Sequence, residues 1–181
     1  MTSMSTTQRI SPSAKDPVAD NFLDYAARRL HQSQKSIASC LDKLTDAQVW
    51  HRGGDHENSI ANLLLHLEGN MRQWILHGID DQPDIRERDE EFTLIPSTNS
   101  ADAAARFNRT LDESARVITA LSPDRLLTVI DPQPTGTWRH TTILEAIFKV
   151  VGHVEMHTGQ IILLTKQLVA TDLDLSMPRK R

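Results

Sequence analysis

The feature that most constrains the fold is an apolar-periodic run from about Thr142 to Val169 that no proline interrupts. At helical spacing and of that length, it reads as one long helix with a buried face. Inside it lies Val151-Gly152-His153-Val154-Glu155-Met156-His157-Thr158-Gly159-Gln160. His153 and His157 stand four residues apart and so share one helical face, about one turn from each other. Ala146, Val150, Gln160 and Leu164 lie on the same face, which aims both imidazoles at whatever core the helix builds. Burying two imidazoles is expensive unless both are satisfied, and a divalent metal is one efficient way to satisfy them.

The rest of the chain supplies three more helices. Met1 to about Asp16 is polar and aperiodic and reads as a flexible leader, with Met4 as an alternative start. From Pro17, which suits a first helical turn, Phe22, Tyr25, Ala26, Leu30, Ile37, Leu41 and Leu44 recur at helical intervals and set a helix over about 18–43. Thr45-Asp46 starts a short element through Trp50, and Gly53-Gly54 opens a loop. A second long helix begins near Asn58 or Ser59 and runs to about His77, with Gly78 ending it. Ile60, Leu63, Leu64, Leu67, Met71, Trp74 and Ile75 form its apolar stripe, while Asn62, His66, Asn70, Gln73 and His77 form a polar seam. A polar seam on a core-facing helix suggests a cavity.

Residues 79–99 look irregular. The alternating charges of Asp84 to Phe92 read first as a solvated loop with local ion pairs, and second as a way for Arg86 or Arg88 to reach a pocket mouth. A third long helix runs from Asn99-Ser100 to Leu121, with Ala104, Phe107, Leu111, Val117 and Ile118 inward, and a short turn follows over Asp124–Leu127. Asp131 to Trp138 is a loop by composition, and Thr142 with Glu145 makes a capping box for the fourth long helix. No segment alternates with period two, so the fold class is all-α, a four-helix bundle over residues 17–172 followed by a frayed basic tail, 173–181.

Composition removes whole classes of function. A formal charge of −4 and a pI near 6.0 argue against nucleic acid or an anionic membrane as the main partner. No apolar stretch approaches the ~20 residues of a membrane span, and no secretory signal is visible. One cysteine, Cys40, allows no internal disulfide, fits a reducing cytoplasm, and reads as a small buried hydrophobe rather than a nucleophile.

His66, flanked by leucines on the second long helix, joins His153 and His157 in a candidate three-imidazole metal site. Three protein ligands leave a fourth position for water or substrate, as catalytic zinc sites do. Glu155 lies two residues past His153, roughly 200° around the helix and off the ligand face, so the spacing is not that of a zinc peptidase. The inward glutamates of a di-iron bundle are also missing. His31, His51, His56 and His140 fall on exposed or loop positions, and His77 stands about 16 Å along the axis from His66.

With a histidine on the second long helix and His-x-x-x-His on the fourth, matched at His66, His153 and His157, the chain resembles the DinB/YfiT-like superfamily of metal-dependent bundles. The resemblance covers most of the chain after Asp16 and rests on Asn58 to Asn70 and Gly152 to Gln160; Arg86 to Phe92 also resembles a subgroup that is mostly uncharacterised. It implies an up-down-down-up bundle, zinc or nickel at the histidines, and a homodimer. It also implies an activity related to thiol transferases that use bacillithiol or mycothiol, a mycothiol-dependent isomerase, or hydrolases. The expectation is therefore a metal-dependent enzyme that activates a low-molecular-weight thiol or a water against a small-molecule substrate. Asn70 and Gln73, with Gln160, are the candidate cofactor-binding residues, and Asn62 joins them in orienting substrate or bound water. The alternatives are a non-catalytic, stress-related metal- or ligand-binding bundle, and a metal-free dimerisation module with three buried histidines.

Overall fold

Local signals start and stop the helices where the sequence places them. The computed structural model describes residues 16–96, 98–134, 140–173 and 175. The leader through Lys15, the end of the Asp131–Trp138 loop and most of the C-terminal tail lie outside the described residues. Helix α1 spans Pro17–Leu41, with Asp16 as N-cap and Pro17 in the first turn. Helix α2, Asp46–Val49, is a single turn held by a Thr45/Gln48 capping box. Helix α3, Ile60–Met71, opens on a Ser59/Asn62 capping box and continues as a π-helical turn, Arg72–His77. Helix α4 spans Ser100–Ala120 behind Asn99, whose side chain accepts the Asp102 amide, and α5 spans Ile143–Val169 behind the Thr142/Glu145 box.

The four long helices form the all-α bundle. α1 packs against α4 and α5, and α3 packs against the same two, so α1 and α3 are diagonal. Side-chain pairs give the directions. Arg29 meets Glu155 and Cys40 meets Thr165, so α1 and α5 run parallel. His31 meets Asp112 while Gln34 meets Asn108, so α1 and α4 run antiparallel. His66 meets His153 while Trp74 lies under Lys149, so α3 and α5 are antiparallel too. The result is up-down-down-up, with Leu30, Leu64, Leu67, Phe107, Ile118 and Val150 sealed in the centre.

That topology has a consequence for the loop between α3 and α4. Two consecutive helices pointing the same way require the chain to return along their length, roughly 27 Å for the 18 residues from Ile60 to His77. The return lays residues 84–93 over α3, with a 3-10 turn at Arg88–Phe92. Every residue of α3 is buried as a result. The seam that suggested a cavity is therefore filled by the chain itself, and the solvated-loop expectation for this segment does not hold at Arg86 and Glu91.

Other expectations shift in detail. Tyr25 is 52% exposed, with the Arg28 guanidinium over its ring. On α4, Ala104 and Val117 are only half-buried, and Ala103, Thr110, Ser114 and Ala115 turn inward, because this helix meets both α1 and α3 and needs a broad face. Gly78 keeps a right-handed conformation, φ −72°. A Cβ there would come within 2.8 Å of the Trp74 carbonyl, so the residue serves close approach to the π turn rather than a left-handed cap. Leu173 packs into the core. Among the described residues no helix is long and apolar enough to cross a membrane.

Candidate metal centre

α3 and α5 bring His66, His153 and His157 together, with one ligand atom from each lying within 4.8 Å of the others. The helix spacing places the α5 pair, and antiparallel packing brings His66 opposite them. The rings sit nearly edge to face, with centroids 4.9 Å (His66–His153), 5.2 Å (His66–His157) and 4.4 Å (His153–His157) apart. His66 and His157 are buried, and His153 is half-buried.

The hydrogen bonds fix which nitrogen each ring turns inward. His66 Nδ1 donates to Glu91 Oε2 at 2.8 Å, which leaves the Nε2 lone pair facing His153 Nε2, also at 2.8 Å. His157 Nδ1 donates to Gln160 Oε1 at 2.6 Å, and its Nε2 is buried with no partner. An orphaned, buried imidazole nitrogen beside two other imidazoles is what a cation site leaves behind. Tetrahedral zinc at about 2.0–2.1 Å from each nitrogen separates its ligands by roughly 3.4 Å, which lies between the 2.8 Å of the His66–His153 pair and the 4.8 Å within which all three ligand atoms fall. The residues present fit a divalent ion. Among the described residues the group holds three protein ligands and no fourth.

Electrostatics favour neutral rings at His153 and His157. Burial, then the neighbouring His157, His66, Arg86 and Lys149, lowers the His153 pKa to about 4. Burial also lowers that of His157, against a bond from Gln160 that raises it. Both rings are therefore neutral, and able to ligate a cation, at neutral pH. Glu91 is the opposite case. Burial pushes its carboxyl up, but the hydrogen bonds from Arg86 and His66 outweigh that and hold it below the ordinary range.

Glu91 is the residue that sequence reasoning missed. Its carboxylate takes His66 on one oxygen and Arg86 on both, with Nε to Oε1 at 2.6 Å and Nη2 to Oε2 at 2.9 Å. Arg86, only 6% exposed at its side chain, thus reaches the centre, whereas Arg88 stacks over Phe92, whose ring lies 5.0 Å from that of His66. One available signal was Glu91 itself, the last of three successive acids and the one directly before Phe92 in the Asp84–Phe92 charge cluster. The other was Gly69, an isolated glycine inside an apolar helix, which usually has a packing reason.

The remaining candidates fall into distinct places. Gln73 accepts from Arg86 Nη1 at 2.9 Å, and Gln160 sits on His157, so both act one step behind the imidazoles. Asn70 is buried and its Oδ1 has no partner. Asn62 instead ties the returning loop to α3, donating to the carbonyls of Glu91 at 2.9 Å and Thr93 at 3.3 Å. Glu155 points away to Arg29, as its helical angle requires. His77 binds the Gln82 carbonyl, His31 faces Asp112, and His51, His56 and His140 are exposed. A cavity of about 570 Å³ is lined by Arg86 and Glu91 together with Glu68, Arg72, Arg106 and Arg109, and by none of the three histidines.

No curated protein matches this chain. The crystal structure of a conserved protein from Enterococcus faecalis is similar in fold, with a TM-score of 0.56 at 14% identity, over 85% of this chain and 96% of that one. Residues 17–181 match the model of a family described as "Protein of unknown function (DUF1572)", and the chain belongs to that family.

Proposed function

We propose that the protein is a metal-dependent enzyme whose three imidazoles hold one divalent ion, zinc or nickel, and present it to a small-molecule substrate. The observation that carries this reading is the buried, unpartnered Nε2 of His157 in a cluster of three imidazoles whose ligand atoms lie within 4.8 Å of one another. An all-imidazole donor set suits zinc and nickel among the divalent metals. When bound, such an ion lowers the pKa of a coordinated water or thiol and so supplies a nucleophile at neutral pH. The chain's own residues do the rest. Glu91 and Gln160 hold the protons on the outer nitrogens of His66 and His157, so the inner lone pairs stay free. Phe92, beside His66, limits water around that ring. Asn70, one turn beyond His66 and with a free acceptor, is the best placed to orient a substrate or a low-molecular-weight thiol, and Gln73 and Gln160 support from behind. The resemblance to DinB/YfiT-like bundles supports thiol transfer or hydrolysis as the reaction class. It also supports a homodimer, for which the exposed α5 face of Phe148, Met156 and Leu163, with open space at Gly152 and Gly159, is the natural surface.

The test is elemental analysis of untagged protein, native and His66→Ala. About one zinc or nickel per chain, lost in the variant while helix content persists, is the expected result. A native protein that takes up neither metal on reconstitution refutes the enzyme reading and leaves the histidines as packed core residues. Metal uptake with no turnover in thiol-transfer and hydrolytic screens leaves the non-catalytic binding bundle. Light scattering checks the dimer, which Phe148→Glu should dissociate.

A further inference from the structure

Gly69 sits in the interior of a fully buried helix, where glycine costs about 1 kcal/mol relative to alanine. Nothing in its backbone demands glycine, since no glycine in the described chain has a positive φ. The space beside it does. A Cβ at residue 69 would lie 2.2 Å from Glu91 Oε1 and 3.0 Å from Arg86 Nε. The place of the missing side chain is taken by a carboxylate that reaches in from the returning loop, is 7% exposed at its side chain, and ends on His66 Nδ1.

We propose that Gly69 is a seat for Glu91, and that Glu91 is thereby a positioning residue for the metal centre. It acts through His66 and touches no other imidazole nitrogen of the cluster. By accepting from Nδ1–H it fixes both the ring's rotation and its tautomer, which leaves the Nε2 lone pair toward His153 and His157. Arg86 pairs with both oxygens of the carboxylate, so its buried charge is compensated. The seat also explains how a loop residue, 25 positions away in sequence, can be held as firmly as one on a helix. Asn62 pins the carbonyls of Glu91 and Thr93, Arg52 pins those of Phe92 and Thr93, and Gly69 lets the side chain between them lie flat on α3. This inference rests on the metal reading above.

The experiment is competitive titration of cobalt(II) against a chelator, followed by the visible absorption of the bound ion, for native protein, Glu91→Ala, Glu91→Gln, Gly69→Ala and the Gly69→Ala/Glu91→Ala double variant. Glu91→Ala should weaken cobalt binding by about 10–100-fold, the usual cost of losing an outer partner of a histidine ligand. Gly69→Ala, which changes no polar group, should weaken it comparably and alter the cobalt spectrum. In the Glu91→Ala background Gly69→Ala should add nothing, because the group it displaces is already gone. Glu91→Gln keeps one acceptor oxygen for Nδ1–H and should fall between native and Glu91→Ala. If native protein binds cobalt and Glu91→Ala binds it within about 3-fold as tightly, this inference is wrong while the metal reading stands. Fully additive losses from Gly69→Ala and Glu91→Ala would likewise overturn the seat. A native protein that binds no cobalt overturns both.

Discussion

Removing the Asn62 side chain tests whether the returning loop is held as described. Asn62 is fully buried, and its Oδ1 accepts from the Ser59 amide at 3.1 Å, the Ser59 hydroxyl at 2.6 Å and Arg52 Nη2 at 2.5 Å. Its Nδ2 donates to the Glu91 and Thr93 carbonyls. In Asn62→Ala, Thr93 keeps Arg52, and the Ser59 hydroxyl can turn to another acceptor. The Ser59 amide and the Glu91 carbonyl lose the partners they have. Two buried orphans at about 1–3 kcal/mol each, partly relieved by water, give a loss of about 3 kcal/mol. For a chain of this size that corresponds to a fall in Tm of roughly 6–12 °C, measured on metal-free protein by circular dichroism and checked by urea titration. An Asn62→Ala variant that melts within about 2 °C of native would refute the reasoning and return Asn62 to the role of a residue waiting for substrate.

Two further outcomes follow from the same contacts. Glu155→Gln should leave metal content unchanged and cost under about 1 kcal/mol, because its bond to Arg29 is partly solvated and its side chain faces away from the histidines; metal loss in elemental analysis would contradict that geometry. Cys40 is fully buried, and burial raises its thiol pKa despite a bond to Thr165 and the nearby Lys166 and Lys43. It should resist a thiol-colour reagent in the native state near pH 8 and react fully in denaturant. Because the folded pKa is the higher one, its contribution to stability is complete below about pH 8.5 and declines as pH rises toward the folded value, which alkaline thermal melts would reveal.

Periodicity and caps carried most of the architecture. The 3.6-residue recurrence of apolar positions, Pro17 in a first turn, and the Thr142/Glu145 box are local effects, each decided within a few residues, and the helices begin and end accordingly. His153 and His157 were readable for the same reason, since four residues on a helix is a fixed distance. His66 could be nominated but not placed, because its neighbours come from a helix 87 residues away. Sequence spacing said nothing of Glu91, Arg86 or Gly69 as a group. Their meeting depends on α3 and α4 running the same way, which forces the loop between them back over α3 and presses one carboxylate into the gap left by a missing side chain. Two residues of a charged stretch that reads locally as solvated, Arg86 and Glu91, were drawn inward by that topology, while their charged neighbours stayed exposed. Local periodicity set the helices and put two of the three imidazoles on one face; the packing direction of those helices settled what orients the third.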